Sequence, residues 1–182
     1  MKKTLIATAI AASTLVSANT VMAAEKGTYF GASYDLMSID FDGDSFDSSV
    51  LSLRLGQNFN ENIGFEVVYG TGVTDETQTF DGIDLTVGVK NYYGAYLTGM
   101  YPVTDQFDIT SKVGFTNVTL EAEATDGFDT VSLEDDDSSV SWGIGASYAV
   151  TDKVRVTADY TMLYSDSDGD IAGLTLGARY AF

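Results

Sequence analysis

The chain has no cysteine, no histidine and a single proline, Pro102. Without cysteine no disulfide can staple it, which suits a passage through the periplasm. Without histidine, serine–histidine and aspartate–histidine catalysis are impossible. Basic charge is also scarce: 9 Lys and Arg stand against 27 Asp and Glu. Two of those lysines, Lys2 and Lys3, open a leader-like stretch. Without them the formal charge is −20. Nucleic acid and anionic surfaces are poor partners on that balance. Beyond the leader no apolar run approaches the roughly 20 residues of a membrane-spanning helix. If the chain crosses a bilayer it must do so as a closed barrel, because only closure satisfies every backbone polar group in lipid.

What is present fits that alternative. Met1-Lys2-Lys3, the apolar stretch Leu5 to Val16 and Val21-Met22-Ala23 have the basic, apolar and small-residue regions of a secretory signal peptide. Cleavage is expected after Ala23, which leaves residues 24–182 as one domain. Ser13, Ser17, Asn19 and Thr20 interrupt the leader too early for a retained helix.

Eight alternating stretches follow: Gly27–Met37, Ser49–Asn58, Ile63–Gly72, Ile83–Tyr101, Gln106–Leu120, Ser139–Val150, Lys153–Tyr164 and Ile171–Phe182. In the second, Leu51, Leu53 and Leu55 oppose Ser52, Arg54 and Gly56. In the seventh, Val154, Val156, Ala158, Tyr160 and Met162 oppose Arg155, Thr157, Asp159 and Thr161. The last ends with Leu174, Leu176, Ala178, Tyr180 and Phe182 on one parity. Apolar residues outward and polar or glycine residues inward is the alternation of a transmembrane barrel. Short turns are expected at Phe59–Asn62, Pro102–Asp105 and Thr151–Asp152. Long loops are expected at Ser38–Ser48, Thr71–Gly82, Glu121–Ser138 and Ser165–Asp170. The expected fold is therefore all-β: an eight-stranded antiparallel transmembrane barrel.

These features resemble the small outer-membrane β-barrel family, with its OmpX-type and opacity-type members and the N-terminal barrel of OmpA-type proteins. The resemblance rests on the leader, the eight stretches, the glycine- and tyrosine-rich inward parity and the terminal Phe182. It implies a bacterial outer-membrane location with both termini in the periplasm and the long loops outside. It also implies recognition of the C-terminal strand by the barrel-assembly machinery, and outer-membrane lipid and lipopolysaccharide as surroundings. OmpA-type proteins carry a periplasmic peptidoglycan-binding domain, and nothing here matches it.

Two sets of charges stand out. On the inward parity lie Asp35, Arg54, Glu66, Asp108, Lys112, Arg155, Asp159 and Arg179, four of each sign. In a lumen just wide enough for side chains they should pair, with Asp159 offsetting Arg155 and Arg179. The expected long loops, with Asp84 beside the second, carry 19 acidic residues and no basic one. Asp40, Asp42 and Asp44, then Asp135, Asp136 and Asp137, then Asp166, Asp168 and Asp170, offer oxygen ligands for divalent cations. The spacing is not that of an EF-hand. No cofactor is expected, and Gly70-x-Gly72 and Gly143-x-Gly145 read as strand packing positions rather than nucleotide motifs. The function expected is non-enzymatic: envelope integrity or surface interaction. The alternatives are a porin-like pore, and an adhesin or receptor using Phe41, Phe46, Phe80 and Phe128 among the loop acids.

Overall fold

A computed structural model describes residues 27–41, 44–80, 83–125, 130–165 and 169–182. The leader lies outside these. Nine strands occupy most of them: β1 Gly27–Phe41, β2 Asp44–Asn58, β3 Ile63–Thr74, β4 Glu76–Phe80, β5 Ile83–Pro102, β6 Phe107–Thr125, β7 Thr130–Ala149, β8 Val154–Ser165 and β9 Gly169–Ala181. All pairings are antiparallel, and β9 closes on β1 from Tyr29↔Ala181 to Phe41↔Gly169. β3 and β4 are successive parts of one wall, both paired to β5 and interrupted at Asp75. The result is a closed eight-strand barrel without a helix among the described residues.

The outer wall is apolar because period-2 alternation puts one parity against lipid. Leu51, Leu53, Leu55, Phe65, Val67, Leu97, Val113, Ile144, Leu174 and Leu176 are all exposed on it. Tyr101, Phe107, Tyr148 and Tyr180 stand near the short turns, and Tyr69, Tyr93, Phe115, Trp142 and Tyr160 lie further along their strands. Such aromatic girdles mark the edges of a bilayer.

One chemistry makes the three short turns. Phe59 and Asn60 both donate to the carbonyl of Ile63, Val103 and Thr104 to that of Phe107, and Val150 and Thr151 to that of Val154. The Asn60 side chain accepts from the N–H of Asn62 and Ile63. Thr104 and Thr151 hydroxyls accept in the same way from the last residue of the turn and the first of the next strand. Local side-chain acceptors of this kind favour turns over longer strands.

The opposite end differs from expectation. Most of the segments read as long loops are strand. β6 and β7 remain paired to Thr125↔Thr130, β1 and β2 to Phe41↔Asp44, and β5 and β6 to Asp84↔Thr125. Acidic composition suggested loops, but ladder pairing carries these residues on above the apolar band. The wall also divides there. β7 leaves β8 above Trp142↔Met162, where the buried Ser141 hydroxyl donates to the Met162 carbonyl. The β2–β3 pairing stops at Ser49↔Thr74. The rim thus has two raised parts, β4-β5-β6-β7 and β8-β9-β1-β2.

Candidate functional site

The lumen is built on inward-facing residues, and glycines make room for its rings. A Cβ at Gly56 would run into the Tyr29 ring, and one at Gly70 into the Tyr92 ring. Each tyrosine therefore lies flat over a neighbouring strand and brings its hydroxyl to a carboxylate. Tyr29 donates to Glu66 at 2.7 Å, and Tyr92 donates to Asp35 at 2.7 Å.

Those two carboxylates converge with a third on Arg54. Its guanidinium is 3.5 Å from Glu66, 3.5 Å from Asp159 and 3.9 Å from Asp35, and its Nε donates to Ser33 at 3.0 Å. Ser52 also donates to Asp35, and Thr110 to Asp159 at 3.1 Å. Planar five-donor geometry lets one arginine serve several acceptors at once. All four groups are buried.

A second cluster lies nearer the short turns. Arg155 is the register partner of Arg179, so two guanidinium groups leave adjacent strands on the same face. The offsetting carboxylate is Asp108, which pairs with Arg155 and accepts from Ser147 at 3.0 Å. The expected partner, Asp159, belongs instead to Arg54. Parity places a side chain inside the lumen, but it does not say which residue lies across it. Arg179 stacks over the Tyr29 ring at 5.1 Å, and Lys112 over the Tyr96 ring at 5.2 Å. Neither forms an ion pair among the described residues.

Beyond these charges the lumen becomes apolar, which the sequence reading missed. Met37, Ile39, Phe46, Val50, Val68, Val89, Val118, Leu163 and Ile171 form one buried cluster with Tyr92 and Tyr96. The signal was available: Met37 and Ile39 continue the inward parity of Asp35. Phe46, expected as a surface contact, is part of this cluster and only 6% exposed. The side chains of Phe41 and Phe80 and all of Phe128 lie outside the described residues.

Of the metal candidates, the structure brings together one pair from different segments, Asp40 and Asp170. Asp40 is the register partner of Ser45 and Asp170, and both aspartates are exposed. Asp135, Asp136 and Asp137 stand on β7, where successive side chains point to opposite faces. The three cannot converge on one ion. Asp136 accepts from the Thr119 hydroxyl at 2.6 Å. Asp44 begins β2 with its side chain outside the described residues, and Asp42, Asp166 and Asp168 lie outside them altogether. No group of three potential ligands occurs among the described residues. Nor are all rim acids without a basic partner: Lys90, displaced outward by a bulge between Val89 and Asn91, pairs with Glu134.

A closed antiparallel barrel with a lipid-type outer wall agrees with the sequence comparison, in which residues 8–182 match the outer membrane protein beta-barrel domain. The chain belongs to that family. No curated protein sequence matches it. Among solved structures it is similar to Ail, the attachment invasion locus protein of Yersinia pestis, at 17% identity and a TM-score of 0.64, covering 87% of this chain and 100% of that one. Neisserial surface protein A is 17% identical with a TM-score of 0.62, over 86% of this chain and 97% of that one. OprG from Pseudomonas aeruginosa is 12% identical with a TM-score of 0.57, over 88% and 98%. At these identities the likeness concerns the fold. The family places the chain in the bacterial outer membrane.

Proposed function

We propose that this chain is a non-conducting, non-enzymatic outer-membrane barrel that maintains the envelope and presents an acidic, strand-built rim outside the cell. The short turns and both termini then face the periplasm. The observation that carries this reading is the filled lumen: the Arg54 cluster and, beyond it, the apolar cluster leave no continuous polar path. Eight-strand barrels have interiors that side chains fill. Planar-bilayer recording of the refolded protein tests the reading. No stepwise current is expected, and regular steps would favour a porin-like pore.

A surface-binding role is the second reading. Val131 and Leu133 are 61% and 70% exposed on β7, within five residues of Glu134, Asp135 and Asp136. Exposed apolar residues among charges on a raised strand are features of contact surfaces. Ail has been solved with the heparin analogue sucrose octasulfate. The acidic rim here disfavours a sulfated ligand, so a cationic partner is the better fit. Divalent cations are proposed to bridge rim carboxylates and lipopolysaccharide phosphates diffusely, without a dedicated cage. The assembly machinery is proposed to read the closing strand, and deleting Phe182 should then lower the folded fraction in the outer membrane.

A further inference from the structure

Ion pairs organise the middle of the lumen, but they do not dry it. An open cavity with room for a few waters is lined by Tyr29, Glu66, Thr110 and Arg179 in the short-turn half. A second, with room for about one water, is lined by Met37, Val68, Tyr92, Thr161, Leu163 and Thr175. Arg54 and Lys112 line both. Among the described residues the buried hydroxyl of Thr161 makes no hydrogen bond, nor does the Asp35 oxygen that faces Arg54 at 3.9 Å, as expected where water completes the bonding.

The layer beyond is different. Ile39, Val50 and Val89 are 0% exposed, and Val118 and Ile171 are 1% exposed. With Met37, Phe46, Val68 and Leu163 they draw on β1, β2, β3, β5, β6, β8 and β9. Ile39 and Ile171 are register partners across the strand pair that closes the barrel. At its edge the Ser48 hydroxyl accepts from the Val89 N–H and lies 3.2 Å from the Thr74 carbonyl and 3.5 Å from the Asp75 carboxylate. An apolar constriction stops ions by excluding water, without any charge. Ions that reached the hydrated charges would still meet this layer.

We infer that the barrier to water and ions is the apolar layer centred on Ile39 and Ile171. The Arg54 cluster is a hydrated structural element below the seal and does not form it. The inference rests on the non-conducting reading and assigns that property to particular residues.

Single-channel recording separates the two. The double variant Ile39→Ser/Ile171→Ser and, as a near-isosteric alternative, Val118→Thr put hydroxyls into the layer. Ile39→Val/Ile171→Val removes volume without polarity. Glu66→Gln weakens the Arg54 cluster and leaves the layer intact. Heat-modifiable gel mobility confirms that each is folded. Stepwise openings are expected in the serine variant, brief ones in Val118→Thr, and none in the valine or Glu66→Gln variants. Silence in both folded polar variants, or openings in Glu66→Gln, would overturn the apolar seal and leave the non-conducting reading in place. Steps in the unsubstituted protein would overturn that reading itself.

Discussion

The two halves of the lumen are filled by opposite means. In the short-turn half, Arg54, Arg155, Asp35, Glu66, Asp108 and Asp159 are buried and tied to one another or to hydroxyls. In the rim half, aliphatic and aromatic side chains meet with no charge among them. Burying an unpaired charge is expensive, whereas an apolar contact can be lost by degrees. The polar half should therefore fail abruptly when one shared partner goes, and the apolar half gradually with volume removed. The geometry makes the first half a hub and the second a packing layer.

Removing the hub should have the largest effect. Arg54→Ala leaves Asp35, Glu66 and Asp159 without their common cation, so a cost of about 3–5 kcal/mol is expected, the size found when one partner of a buried pair is removed. Reversible urea unfolding in lipid vesicles measures it. A loss below about 1 kcal/mol would mean that lumen water replaces the guanidinium, and the contrast between halves would shrink. Ile39→Ala should follow, at roughly 2–4 kcal/mol, from lost transfer energy and the cavity left behind. Ile39→Val should cost only about 0.5–1.5 kcal/mol. A valine variant as damaged as the alanine one would show that the layer responds to shape rather than to volume.

The contrast was only half legible in the sequence. Inward and outward parity could be read from runs such as Leu51, Leu53 and Leu55 against Ser52, Arg54 and Gly56, because lipid and lumen select opposite residues. The charged half followed from parity. Its pairings did not, since Asp108 meets Arg155 through β6, β7 and β8, and Asp159 crosses the lumen to Arg54. The apolar half was missed for a different reason. With Asp40 and its acidic neighbours read as a loop, Ile39 and Phe46 fall beyond a strand end and lose their parity. Ladder pairing above the bilayer does not need a greasy face, so alternation, the main signal, weakens where the strands continue.

Asp159→Asn sharpens the account of the hub. Arg54 would keep Glu66 and Asp35, and an asparagine oxygen can still accept from Thr110. The expected cost is about 1 kcal/mol, the net worth of an ordinary hydrogen bond. A loss as large as that of Arg54→Ala would show that the three carboxylates are not equivalent and that Asp159 alone anchors the hub.

The smallest effect is expected from Lys112→Met, and it decides between two accounts of the polar half. On a contact account, stability comes from groups within bonding distance. Lys112 has only the Tyr96 ring at 5.2 Å, and methionine of similar length can lie over the same ring. The change should then fall within about 0.5 kcal/mol, as for an ordinary surface site. On a charge-balance account, three carboxylates around Arg54 leave an excess that Lys112 and Arg179 offset from a distance. Both line the same cavity as Arg54, Glu66 and Asp159. Loss of Lys112 would then cost several times as much, and more at low ionic strength, because screening weakens over about 10 Å at 0.1 M salt. The contact account is favoured, since that cavity gives water access to the charges and water screens them. Unfolding of Lys112→Met at low and high salt separates the two: a small, salt-independent change supports contacts, and a large one that grows as salt falls would make overall neutrality the rule in this half of the lumen.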